Sequence, residues 1–132
     1  MGLATICKLK VLPQFVFRNS NPAVFGVAVE AGKLKPRTLL IDPDGKSIAK
    51  VKDIQDKNKK LNQAEQGQEI AISLPGTIFD RQLIDMDYLY SDISEHQFKE
   101  FKKNKDLLTQ DEIQTLQKIA EIKRKEKVTW GV

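Results

Sequence analysis

The stretch TLLIDPDGKSIAKVKDI, residues 38–54, decides the fold. Its Gly45-Lys46-Ser47 has the ending of a phosphate-binding loop, which would announce a parallel α/β sheet and nucleotide chemistry. That loop needs a glycine five residues before Gly45, where Leu40 stands, and a helix directly afterwards. Here a second apolar run follows instead. Asp44-Gly45 between two such runs is a hairpin signal, because a tight turn needs residues that tolerate positive φ. Residues 38–41 and 48–54 are therefore read as antiparallel strands, with GKS in their turn.

The same period of two extends outward. In residues 5–12, Cys7, Leu9 and Val11 share one face while Lys8 and Lys10 take the other, a half-buried strand. Pro13 interrupts, and Phe15-Val16-Phe17 resumes. Asn21-Pro22 marks a turn. Phe25, Val27 and Val29 alternate with Gly26 and Ala28 in a second strand, and residues 32–36 read as a connector. Residues 55–66, QDKNKKLNQAEQ, read as a long polar loop. Residues 68–74 are another strand, closed by Pro75-Gly76, and residues 88–92 the last. Six or seven short strands with no helix between them predict an antiparallel barrel or sandwich. Closure into a barrel removes exposed edges.

After Ile93-Ser94 the period becomes helical. Ser94 with Gln97, and Thr109 with Glu112, have capping-box spacing. Phe98 and Phe101 stand three apart on the first helix. The second carries Ile113, Leu116, Ile119, Ala120 and Ile122, with acids at its start and Lys123, Arg124, Lys125 and Lys127 at its end, as the helix dipole favours. The expected organisation is a mainly β fold with an α tail: a six- or seven-stranded β-barrel over 1–93 and a two-helix hairpin over 94–132. The apolar residues of the second helix spread over about half its circumference. Either it packs on two elements of its own chain, or it leaves apolar surface for a partner.

The chain has 132 residues, 40% hydrophobic and 30% charged, enough for one core with an appendage. No stretch approaches a membrane span of about 18 apolar residues, and no secretory leader opens the chain. Cys7 is the single cysteine and His96 the single histidine, which excludes a disulfide within the chain, a cysteine zinc site and a histidine relay. A cytoplasmic, monomeric, metal-free protein is expected. Twenty-two Lys+Arg against 18 Asp+Glu suits an anionic partner such as RNA, and equally a plain soluble domain.

Catalytic groups do not assemble. Asp42 and Asp44 lack the spacing of a calcium loop. Asp85 and Asp87 read as turn formers. His96 falls in an exposed first helical turn, and Cys7 on a buried strand face. No nucleophile, base and orienter can be combined. The polar loop is the better candidate for binding. Lys52, Lys57, Lys59 and Lys60 can neutralise phosphates, while Gln55, Asp56 and Asn58 can read sugar or base edges. Arg18 and Asn19 can join the same rim. A solvated loop explains these residues equally, and the loop contains no aromatics for stacking.

Five stretches carry a resemblance. "GKLKPRTLLI" followed by "IAKVKDIQDKNKKLNQAEQGQEIAISLPG" resembles the barrel that follows the GTP-binding domain of translational GTPases. "CKLKVLPQFVFRNSNPAVFGVAVEAGKLKP", "FDRQLIDMDYLYSDISEHQFKEF" and "IAEIKRKEKVTWGV" resemble the eukaryotic/archaeal initiation factor 5B family, relatives of bacterial initiation factor 2, in its archaeal form. The resemblance covers residues 5–132.

It implies a C-terminal fragment, with Val132 the natural end, of a GTPase that joins ribosomal subunits around initiator tRNA. GTP and Mg would belong to a domain upstream, leaving no cofactor, no catalytic residue and no metal in this chain. The barrel would hold the methionylated CCA end of initiator tRNA through the strand Val24-Phe25-Gly26-Val27, with Phe25 and Val27 as its contacts, through the loop of Gln55, Asp56, Lys57, Asn58, Lys59 and Lys60, and through Glu69, Ile70 and Ala71. The bacterial pocket has a cysteine near the position of Val27 and a glycine near that of Ala71, and this chain departs at both. The helices would dock the C-terminal tail of initiation factor 1A between Phe98, Phe101, Ile113, Leu116, Ile119 and Ile122, rimmed by Lys99, Lys102, Lys123 and Arg124. Ile122 in particular is expected to face the partner. The expected partners are thus initiator methionyl-tRNA, initiation factor 1A and the ribosome, with no membrane and no DNA. The competing reading is a protein-interaction or spacer module without tRNA recognition.

Overall fold

A computed structural model describes residues 5–132, so the first four positions of the expected 1–93 unit lie outside the described residues. Nine strands form one antiparallel sheet: β1 (Cys7–Arg18), β2 (Ala23–Leu34), β3 (Leu39–Ile41), β4 (Ser47–Lys50), β5 (Asp53–Asp56), β6 (Lys59–Lys60), β7 (Ala64–Glu65), β8 (Glu69–Leu74) and β9 (Tyr88–Ser91). The order is β4-β3-β9-β1-β2-β8-β5-β6, with β7 paired to the far end of β2. Among the described residues, a short α1 (Phe79–Gln82) lies between β8 and β9, and α2 (Glu95–Lys103) and α3 (Gln110–Arg124) follow β9.

The expected six or seven strands become nine, and the closed barrel becomes an open, curled sheet. One reason lies in residues 48–54. Read as a single returning strand, they split into β4, which pairs with β3, and the start of β5, which pairs with β8. No hydrogen-bonded ladder joins the ends of the curl there, and the chain itself crosses the seam at Val51-Lys52. The other reason lies in the supposed polar loop. It folds as a hairpin, β5–β6, whose turn residues Lys57 and Asn58 both have positive φ (51° and 68°), and it then adds β7. Two-residue strands, Lys59–Lys60 and Ala64–Glu65, are too short for a period of two to mark them.

The turn at Asp44-Gly45 forms as expected, but its hairpin is limited to β3 and β4. Asp42 accepts backbone N–H groups of Asp44 and Lys46 on its side-chain oxygen, both at 2.9 Å, and Gly45 takes φ +88°. β1 does not end at Pro13. Leu12 pairs with Gly26 and Val16 with Phe25, so Pro13, Gln14 and Phe15 bulge out without a partner. A bulge accommodates proline, which has no N–H for a ladder. The connector expected at 32–36 also corrects: β2 runs through to Leu34, with Gly32 at φ +71° where a Cβ would lie 1.8 Å from the Ile6 carbonyl oxygen.

Two apolar cores follow from alternation. Leu9, Phe25, Val27, Leu40, Ile54, Ile72 and Leu89 fill the inside of the curl. Ile41 and Tyr90 are cross-strand partners one residue along from Leu40 and Leu89, and they point the other way. There they join Ile93, Phe98, Phe101, Leu116, Ile119 and Ile122 under the helices. β3 and β9 are therefore covered on both faces. Both capping boxes form, Ser94 with Gln97 and Thr109 with Glu112.

The helical tail is more than a free hairpin. A 3-10 turn, Lys105–Leu107, joins α2 to α3, and α3 lies across the outer face of the sheet. At its start Asp111 accepts from the Gln66 side chain at 2.6 Å. At its end Lys125 donates to the Pro43 carbonyl at 3.0 Å, and Ile122 packs beside Gly45. The broad apolar arc of α3 is thereby divided between the sheet and α2. α1 was not expected. Its cap is not local: Asn19, 61 residues away, accepts from the Asp80 N–H through its side chain at 3.0 Å and from the Phe79 N–H through its carbonyl.

Candidate functional site

A cleft of about 420 Å³ opens on the outer face of the curl where β1, β2, β5 and β8 meet. Gln55, Asp56 and Lys57 enter it from the β5–β6 hairpin, and Glu69, Ile70 and Ala71 from β8. The β5–β8 register sets Gln55 opposite Ala71, which brings these two segments to one place. Thus six of the residues expected at the RNA-binding site line a single cleft.

The strand alternation of β2 corrects two others. Phe25 and Val27 are wholly buried inside the curl, and Phe25 packs on Phe79 with ring centroids 5.1 Å apart. It is Gly26, between them, that reaches the cleft. Asn19 is committed to capping α1. Arg18 and Lys52 line a neighbouring depression of about 200 Å³ that shares Gln55 and Ala71 with the cleft. Lys59 and Lys60 are exposed on β6, with Lys60 at 3.8 Å from Asp53, and Asn58 is exposed in the turn.

What sequence reasoning missed is the aromatic wall. Phe15 and Phe17 line the cleft and are 46% and 67% exposed. Forty residues separate them from the basic hairpin, so the hairpin's own composition showed no aromatics. The bulge after Leu12 carries them outward. Phe15 lies over Gly26, where a Cβ would come within 3.0 Å of the Phe15 Cβ. The cleft therefore combines two aromatic rings, small residues, hydrogen-bonding side chains and Lys57, with Arg18 and Lys52 in the adjoining depression and Lys59 and Lys60 exposed on the same hairpin. Such a surface stacks an unpaired base and neutralises its backbone.

A second groove, about 340 Å³, lies between α2 and α3. Phe98, Ile113, Leu116 and Ala120 line its apolar part, while Lys102, Lys105 and Arg124 supply positive charge and Glu121 one carboxylate. Lys102 and Arg124 both stand over the Phe98 ring, 5.5 and 5.8 Å from its centroid. Several expected groove residues lie elsewhere. Ile119 and Ile122 are completely buried, Ile122 between α3 and the β3–β4 hairpin, so neither offers surface to a partner. Phe101 is buried in the same core. Lys123 is ion-paired with Asp92 on the sheet side. Lys99 is exposed without lining the groove. Lys105 and Ala120 take their places.

Elsewhere the chemistry is quiet. Burial pushes the Cys7 thiol up, which leaves it protonated and unsuited to nucleophilic work. His96 is exposed in the first turn of α2. Among the described residues, no three of His, Cys, Asp and Glu converge to hold a metal ion, and no helix is long and apolar enough to cross a membrane.

Comparison with known proteins places this geometry. The family model described as Elongation factor Tu domain 4 matches residues 6–90. The probable translation initiation factor IF-2 of Methanopyrus kandleri is 46% identical over 126 residues, which are 95% of this chain and 21% of that protein. Its counterpart in Hyperthermus butylicus is 42% identical over 127 residues, again 95% of this chain and 21% of that one. The crystal structure of GDP-bound aIF5B from Aeropyrum pernix superposes with a TM-score of 0.90 at 31% identity, over 98% of this chain and 22% of that chain. The chain spans about a fifth of the length of the curated relatives it matches. With the curled sheet, its outer cleft and its helical tail accounted for by one homologous region, the chain belongs to the Elongation factor Tu domain 4 family, in the form found in archaeal initiation factors of the IF-2/5B type.

Proposed function

We propose that this chain is the RNA-end-reading and protein-docking part of a translation initiation factor that acts in the cytoplasm at ribosomal subunit joining. In this reading the sheet's outer cleft holds the methionylated CCA end of initiator tRNA, and the helical groove docks the acidic, apolar C-terminal tail of initiation factor 1A. GTP and Mg belong to other domains of the longer factor, and this chain contributes binding rather than catalysis. The observation that carries the reading is the meeting of Phe15 and Phe17 with the basic β5–β6 hairpin in one cleft.

The rings supply stacking that tolerates any base, the lysines neutralise phosphates, and Gln55 and Asp56 offer hydrogen bonds at the edge. The Phe98–Ile113–Leu116 floor under Lys102, Lys105 and Arg124 suits an amphipathic peptide, with apolar anchors for affinity and cations for steering. In a full factor both contacts gain from effective concentration.

The test is titration of a methionylated acceptor-stem minihelix, and of its uncharged twin, into wild type and the Lys57→Ala/Lys59→Ala/Lys60→Ala variant. Tighter binding of the methionylated form is expected. The variant should bind more weakly, and the slope of log K against log salt should fall by about 2. Equal binding of both RNAs with an unchanged slope would favour a protein-interaction module in which only the helices recognise a partner.

A further inference from the structure

We propose that the segment after α3, residues 125–132, is a clip that holds the peptide groove in its binding shape, with Trp130 as the positioning residue; this rests on the groove reading above. Trp130 does not line the groove. It packs behind it, its ring tilted against Phe98 with centroids 5.0 Å apart. Its carbonyl oxygen accepts from the Arg124 Nε at 2.8 Å. Phe98 and Arg124 form one of the groove's two aromatic–cation pairs, Lys102 over the same ring being the other, and Trp130 holds Phe98 with its ring and Arg124 with its carbonyl from the far side.

The clip is itself anchored at the start of α2. The Glu95 carboxylate accepts from Lys127 Nζ at 2.6 Å and from the Gly131 N–H at 3.4 Å. Gly131 has φ +74°, and a Cβ there would stand 2.7 Å from Phe98 Cδ2. The backbone therefore lies flat on the Phe98 ring in a way that only glycine permits. Without the clip, Arg124 and Phe98 would have to be ordered at the moment of docking, and immobilising such side chains weakens association.

The experiment uses the full chain and a synthetic peptide that alternates aspartate with isoleucine and leucine, titrated by calorimetry. Trp130→Ala and Gly131→Ala are each expected to weaken peptide binding about tenfold. Trp130→Phe should restore most of it, and helical circular dichroism and minihelix binding should stay at wild-type values. Wild-type peptide affinity in both alanine variants would overturn the clip while leaving the groove reading intact. Loss of helical signal together with binding would make Trp130 a core residue rather than a positioning one. A wild-type chain that ignores the peptide would overturn the groove reading and the clip together.

Discussion

Val51 and Lys52 are chain neighbours that donate to opposite walls of the molecule. The Val51 N–H reaches the Thr38 carbonyl and the Lys52 N–H the Ser73 carbonyl, both at 2.9 Å. This pair carries the chain across the open seam of the sheet. Removing the second donor should loosen the curl while leaving its core composition unchanged. Lys52→Pro is expected to lower stability by about 2 kcal/mol, the cost of a lost bond and an unpaired acceptor. Lys52→Ala should stay within about 0.5 kcal/mol. Urea unfolding of the two variants measures the difference.

Two glycines with positive φ separate backbone strain from steric exclusion. Gly32 has φ +71° and a carbonyl oxygen where a Cβ would go, whereas Gly67 has φ +93° and nothing within 4 Å. Gly67→Ala should cost about 1–2 kcal/mol, the left-handed penalty alone. Gly32→Ala should exceed about 4 kcal/mol, because the β1–β2 pairing must shift. Thermal unfolding distinguishes them.

Phe17 is the most exposed of the cleft aromatics. Phe17→Ala should leave the urea midpoint near wild type and weaken binding of an acceptor-stem RNA by about 1–3 kcal/mol. A weakening of that size that persists at high salt would assign it to stacking, since ionic contributions are screened.

Ile113 and Ile122 sit on one helix with different neighbours. Ile122 is completely buried against the sheet side, and Ile113 is half-buried at the groove. Ile122→Ala should cost about 2–5 kcal/mol of stability, as a buried truncation does. Ile113→Ala should instead weaken peptide docking with little effect on the melting midpoint. Paired calorimetry and thermal melts check both.

Glu95 ties the clip to acidity. The hydrogen bond from Lys127, followed by the Gly131 N–H, holds its carboxyl below the usual glutamate value. A depressed folded-state pKa stabilises above the unfolded value, about 4.3, and that contribution is lost as pH falls through the folded one. Acidification through the folded-state pKa, below the ordinary glutamate value, should therefore loosen the Glu95 anchor of the clip and red-shift Trp130 fluorescence. In Glu95→Gln the shift should be present already at neutral pH and lose its acid step.

The elements whose causes are local were legible in the residues. Asp44-Gly45 announced the hairpin, Ser94/Gln97 and Thr109/Glu112 announced the helices, and the alternation of Phe25, Val27 and Val29 announced β2. Elements with distant causes were not. α1 depends on a cap from Asn19, and β6 and β7 depend on partners rather than on any period of their own. The site followed the same rule. Gln55, Asp56 and Lys57 were visible as polar candidates on a loop, while Glu69 entered only through the family resemblance. Phe15 and Phe17 were hidden because a bulge, and not alternation, sends them outward. Ile122 was misplaced because helical spacing shows an apolar stripe without showing which neighbour covers it.

β6 stands at one end of the sheet order, and its two residues are Lys59 and Lys60. A terminal strand offers unpaired backbone groups to any other extended chain, and short length and lysine are the usual defences against such addition. The two lysines beside the cleft hairpin's turn are thus the guard of the sheet's open border. Charge at this hairpin serves solubility independently of any ligand, and replacing both lysines with β-branched residues would invite self-association through that border.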